Sequence, residues 1–134
     1  MDLKDYFETT RGLGILSTAD NRGAVNAAVY ARPHVLEDGT LAFIMRDRLT
    51  HHNLQSNPHA AYLFREDGGR YKGVRLHLTK IREESGTDAV KDLCRRCKID
   101  DKPDAARFLV AFNIDRELPL VGAGESPEYP PEKD

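Results

Sequence analysis

The sequence predicts a mainly β fold: about six strands in an antiparallel sheet that closes into a barrel, with two or three short helices. Three observations carry that prediction. Short alternating or apolar runs recur along the chain, as in "GVRLHLTKI", where Val74, Leu76 and Leu78 alternate with Arg75, His77 and Thr79. The runs are joined by tight turn sequences, "DNRG" at Asp20–Gly23 and "EDGT" at Glu37–Thr40, of the kind that link antiparallel neighbours. Connections this short leave no room for the crossovers of a parallel sheet, and closure into a barrel removes exposed strand edges.

Each element follows from local pattern. "DLKDYFETTRGL" sets Leu3, Tyr6, Phe7 and Thr10 at helical spacing, with Gly12 placed to stop the helix. "GILSTA" and "AVNAAVYA" read as a hairpin, and "HVLEDGTLAFIM" repeats the arrangement, with Leu41, Phe43 and Met45 on one face. A short helix over Thr50–Ser56 comes next, Thr50 being a natural cap and Pro58 disfavouring helix at Asn57. "HAAYLF" is a short apolar strand and "GVRLHLTKI" the next, after which a second internal helix spans about Thr87–Lys98. "ARFLVAFNI" is the last strand, with Phe108, Val110, Phe112 and Ile114 on one face. One domain is expected over residues 1–122, followed by a proline-rich, flexible tail over 123–134.

Composition narrows the function classes. The 134 residues are 40% hydrophobic and 31% charged, enough for one core in one soluble domain. A net charge of -2 gives no electrostatic case for nucleic acid or an anionic membrane as partner. No apolar run reaches the length of a membrane span, and "MDLKDYFETT" lacks the layout of a signal peptide. Two cysteines make no disulfide framework and fit a reducing compartment, so the cytoplasm is the expected location.

Several patterns invite chemistry and fail on spacing. In "CRRC", Cys94 and Cys97 continue the apolar stripe of Val90 and Leu93, where cysteine serves as a small hydrophobe; zinc would need a second pair of ligands. His51 and His52 are adjacent and diverge by about 100° on a helix, and His59 lies beyond Pro58 on another element, so no metal site is expected. "RLH" at Arg75–His77 puts both polar residues on the solvent face of a strand. No Ser-His-Asp order, paired-carboxylate motif or glycine-rich nucleotide loop is present. What remains is "MRDRLTHHN", where a strand hands over to a helix start. Free N–H groups and the dipole make that junction an anion site, with Arg48 offering a planar fork and Thr50 a hydroxyl; a solvated, capped helix start is the plainer reading of the same letters.

Taken together, "GILSTADNRGAVNAAVYA", "EDGTLAFIM", "RLTHHNLQSNPHAAYLF" and "YKGVRL" resemble the FMN-binding split β-barrels of the flavin-reductase and pyridoxamine 5'-phosphate oxidase type, over about Gly14–Gly122. The resemblance implies a homodimer with FMN at its interface. It implies phosphate contacts from Arg48, Thr50 and His51, with His52 and Asn53 as further candidates. The strand end Ile44, Met45 and Arg46 would line the isoalloxazine through its backbone, and Tyr30 is a further lining candidate. Many relatives carry lysine where Thr50 stands, which leaves that contact open. "ELPLVGAGES" resembles the C-terminal segment of the shorter members. Pyridoxamine-phosphate oxidases carry a further C-terminal segment with an Arg-x-His motif; "RLH" lies on an interior strand here, so vitamin B6 oxidation is not expected. The implied function is an FMN-dependent oxidoreductase acting on a small molecule. The alternatives are a non-catalytic FMN-binding or electron-carrier protein, or the same barrel using haem or a deazaflavin.

Overall fold

Asp2 starts the first helix, α1 (Leu3–Thr9), by accepting from the backbone N–H groups of Lys4 (3.0 Å) and Asp5 (3.3 Å). The computed structural model describes residues 2–85, 90 and 106–122. The helix expected at Thr87–Lys98, with Cys94 and Cys97, lies outside the described residues apart from Val90, as does the 123–134 tail. Gly12 does not stop α1. The helix ends at Thr10, whose N–H bonds to the Tyr6 carbonyl, and Gly12 opens the first strand. A side chain there would stand 2.2 Å from the Arg65 carbonyl oxygen, so the glycine serves close strand approach.

After α1 come β1 (Gly12–Ala19), β2 (Val25–Val29), β3 (His34–Val35), β4 (Leu41–Arg46), α2 (Leu49–Ser56), β5 (His59–Glu66), β6 (Gly73–Ser85) and β7 (Arg107–Pro119). All pair antiparallel in one sheet of order β2-β1-β5-β6-β7-β4-β3. Among the described residues this is seven strands instead of six, because the two residues of β3 pair with Leu41 and Ala42 as a strand of their own. Nor does the sheet close among the described residues: β2 and β3 are its two edges and do not pair with each other.

The curl comes from β6 and β7, each thirteen residues long. Val74–Thr79 of β6 pairs with β5 as well as with the end of β7, whereas Lys80–Ser85 runs beside the start of β7, which also pairs with β4. Register shifts at His77/Leu78 and Lys80/Arg82 mark where the ladder bends. The predicted alternation sits on this bend: Val74, Leu76 and Leu78 are buried. They join Phe7, Leu16, Leu41, Phe43, Met45, Leu54, Tyr62, Phe64, Val110 and Phe112 in the main core. The opposite side of β4 and β7 is covered too, by a smaller cluster of Ala42, Val90, Leu109 and Ala111. No helix among the described residues is long and apolar enough to cross a membrane.

Candidate functional site

The turn between β4 and α2 forms a corner that the sheet leaves open. β3 covers the outer edge of β4 only at Leu41 and Ala42, so Phe43–Arg46 pairs with β7 on one side and has no strand on the other among the described residues. Backbone donors and acceptors along such an edge are available to a ligand. Met45 is buried in the core and Ile44 packs on the smaller cluster, so what either can offer at this edge is its main chain. Arg46 is half-buried, and its carbonyl accepts from the N–H of Arg48 at 2.9 Å.

Arg48, not Thr50, occupies the cap position of α2. Its backbone is extended (φ -126, ψ -169) and no side chain caps the helix. The Arg48 side chain is exposed and joins no ion pair among the described residues. Thr50, the second residue of the helix, is buried, and its hydroxyl hydrogen-bonds with the phenol of Tyr30. Tyr30 lies just past β2, edge-on to Phe43 at 6.0 Å and anchored by its N–H to the Gly14 carbonyl at 3.0 Å. Burial pushes its phenol up, while the Thr50 bond and the nearby charge of Arg48 act in the opposite direction. Tyr30, Arg48 and Thr50 are therefore gathered beside the open edge of β4.

The other expected residues of α2 turn elsewhere. Asn53 is buried and donates from Nδ2 to Thr18 Oγ1 at 3.1 Å, fixing α2 to β1. His52 is exposed on the side of Asp20, whose carboxyl is held low mainly by the N–H groups of Ala24 and Arg22. His51 faces β6 and β7. Its ring stacks on Phe108 at 4.0 Å, with Nδ1 2.9 Å from Asp47 Oδ1 and Nε2 2.9 Å from Glu83 Oε2.

Sequence comparison matches no family model and no curated protein. Solved structures do match. An FMN-binding protein from Syntrophomonas wolfei superposes with a TM-score of 0.72 at 17% identity, over 90% of this chain and 84% of its own. A candidate pyridoxamine 5'-phosphate oxidase from Lactobacillus delbrueckii matches with a TM-score of 0.65 at 18% identity, covering 88% and 92%. HutZ, a haem storage protein from Vibrio cholerae, matches at 0.62 and 12% identity, covering 88% and 92%. The chain has the split-barrel fold of the pyridoxamine 5'-phosphate oxidase type.

On the outer face of this split barrel, a shallow depression of about 550 Å³ is lined by Ser17, Ala19, Val25, Ala61, His77 and Arg116, among others. It is separate in sequence from the β4–α2 corner. No group of three His, Cys, Asp or Glu among the described residues is placed to hold a metal ion.

Glu83 is the residue that sequence reasoning missed. Burial pushes its carboxyl up, but hydrogen bonds from His51, Gln55 and Lys80 outweigh this and hold it at about 2. No local spacing links it to His51, 32 positions away. Asp47 stands four residues before His51 but in the turn ahead of α2, and the sequence reading did not single it out either. A carboxylate held below its ordinary 4.5 adds stability above that pH, and the contribution is lost as pH falls towards 2. Acid unfolding of the wild type is therefore expected to be steeper across this window than that of Glu83→Gln. Circular dichroism against pH checks it, and coincident curves would contradict the assignment.

Proposed function

We propose that the split barrel binds FMN at the β4–α2 corner and acts as a flavin-dependent oxidoreductase on a small molecule. The observation that carries this reading is the edge of Phe43, Ile44 and Met45, which has no strand on its outer side among the described residues, beside Tyr30, Thr50 and the exposed Arg48. The donor set fits the group. An isoalloxazine presents acceptors and a donor along one rim, which suits an open strand edge. A phosphate suits the Arg48 fork together with the first N–H groups of α2. Similarity to an FMN-binding protein supports the same reading.

When bound, FMN supplies the hydride or electron chemistry. The chain's part is to hold and shield it. Arg48 neutralises the phosphate, Thr50 keeps the Tyr30 phenol in place, and the main chain of Ile44, Met45 and Arg46 orients the ring. In this reading His51 and Asn53 act behind the site and do not touch the phosphate.

The reading includes a homodimer. Val25 and Val29, 82% and 70% exposed, stand out from the edge strand β2 with Ala27, next to Ile15 and Leu63 across the ladder. An apolar face of this kind is suited to a second copy. The two cysteines of the sequence favour a reducing, cytoplasmic setting.

Incubation with FMN followed by desalting tests the cofactor. Retention near one flavin per chain is expected, and a colourless protein would overturn the reading. Light scattering on the same sample tests the dimer. Turnover with NADH or NADPH separates an oxidoreductase from an electron carrier or storage protein, for which turnover is negligible. A second reading is haem, favoured by the half-buried His77 in the outer depression and by the likeness to HutZ. A Soret band in place of flavin bands after exposure to both would decide for it.

A further inference from the structure

We propose that His51 is a proton-dependent positioning residue: its ring, tied at both nitrogens to carboxylates, holds the first turn of α2 so that Arg48 and the first N–H groups of the helix face the FMN phosphate. The ligand half of this proposal rests on the FMN reading above; the latch itself stands on the geometry of the protein alone.

The ring is 6% exposed and lies flat on Phe108, with an interplanar angle of 15°. Carboxylate oxygens only accept, so each ring nitrogen must donate, and a neutral imidazole has a single N–H. Both 2.9 Å contacts are hydrogen bonds only when the ring carries two protons. Gln55 offers no escape. Its Nε2 is 3.1 Å from the same ring nitrogen, but its hydrogens go to Glu83 Oε1 and the His51 carbonyl, each at 3.0 Å.

The groups facing the ring come from every neighbouring element. They are Asp47 from the turn, Gln55 from α2, Glu83 from β6 with Lys80 Nζ bonded to it at 3.0 Å, and Phe108 from β7. Arg46 and Arg107 pair next to Phe108 in the β4–β7 ladder. His52, the other titratable group of α2, is on the exposed side by Asp20.

The latch has leverage because α2 starts without a side-chain cap. His51 reaches back to Asp47, the residue just before Arg48, and so closes the chain around the Arg48 turn. Its other nitrogen fastens that turn to β6 through Glu83. When a proton leaves the ring, one nitrogen presents a lone pair to a carboxylate and that tie becomes repulsive. The turn then loosens, and the guanidinium and first N–H groups of α2 lose their fixed aim. Phosphate affinity falls as pH rises. The second ionisation of the phosphate itself, near about 6, pulls the other way, so the latch is read as a difference between wild type and variant.

The experiment measures FMN affinity by quenching of flavin fluorescence from about pH 5.5 to 8.5, the range over which histidines titrate, for wild type, His51→Gln and Glu83→Gln. Amide exchange over residues 49–52 is followed in the ligand-free proteins across the same range. The wild type is expected to lose about tenfold in affinity relative to His51→Gln as pH rises, the size of one charge-assisted hydrogen bond. Its first-turn amides should speed up beyond the intrinsic pH dependence, while both variants exchange fast throughout. Glu83→Gln keeps the shape of the side chain and serves if His51→Gln does not fold. Parallel affinity profiles for wild type and variants, or α2 amides indifferent to both substitutions, would overturn the proposal. If no protein binds FMN, the cofactor reading fails, and the exchange data still decide the latch.

Discussion

Replacing Arg48 with alanine is expected to weaken FMN binding about tenfold to a hundredfold while leaving the melting temperature of the ligand-free protein unchanged. The magnitude follows from a charge-assisted hydrogen bond to a phosphate, on the order of 1.5–3 kcal/mol, with each 1.4 kcal/mol worth about a factor of ten. The split between affinity and stability follows from position. Arg48 is exposed, caps nothing with its side chain, and joins no ion pair among the described residues. Its nearest electrostatic effect is on the Tyr30 phenol, a residue of the same corner. Arg48→Lys keeps the charge but not the planar fork, so it should recover part of the loss. Fluorescence titration and a thermal melt on the same preparations check both halves. Equal losses of affinity and stability would make Arg48 a structural residue instead of a ligand contact.

That corner was only half legible in the sequence. "MRDRLTHHN" identified the strand-to-helix junction, and "NP" identified its far end: α2 does stop at Ser56, with Asn57 bonding back to Asn53. Local patterns also carried the hairpins. Asp20 Oδ1 accepts from Arg22 and Ala24 at 2.8 and 2.9 Å, which is why "DNRG" turns. Contacts between distant positions were hidden. Nothing near Thr50 points to Tyr30, twenty residues earlier, and nothing near His51 points to Glu83. The adjacent histidines invited a shared role, yet the helix sends His51 into Phe108 and His52 into solvent. The open sheet was hidden for a related reason. Alternation reports which face of a strand is buried, whereas closure depends on whether β2 meets β3, and β3 is only two residues long. The bends in β6 and β7 arise from register shifts that the alternating letters run through without a break.

The second large effect is predicted at Gly14, a residue of β1 that touches no ligand in the proposed site. Gly14→Ala is expected to destabilise the fold by about 2–5 kcal/mol, a large share of a small domain's total. A Cβ at this position would stand 1.8 Å from Tyr62 Oη, 2.5 Å from its Cζ and 2.6 Å from the Tyr30 carbonyl oxygen. Neither neighbour can yield cheaply. Tyr62 is fully buried, with its ring centroid 4.9 Å from Phe43 and 6.1 Å from Phe7, and its hydroxyl donates towards the carbonyls of Ala31 (3.3 Å) and Tyr30 (3.4 Å). Tyr30 in turn donates its N–H to the Gly14 carbonyl. The methyl group must therefore either drive the Tyr62 hydroxyl off its partners inside the core or push out the backbone that carries Tyr30. The first outcome leaves a buried polar group unpaired, and the second moves the phenol that bonds Thr50, so FMN affinity should fall along with stability. Adding Tyr62→Phe removes the worst overlap but leaves the ring carbon in the way, so the double variant should recover only part of the loss. Urea denaturation of the wild type, the single variants and the double variant measures this coupling. A cost below about 1 kcal/mol for Gly14→Ala, or exact additivity with Tyr62→Phe, would show that β1, Tyr62 and the Tyr30 backbone are not packed tightly against one another.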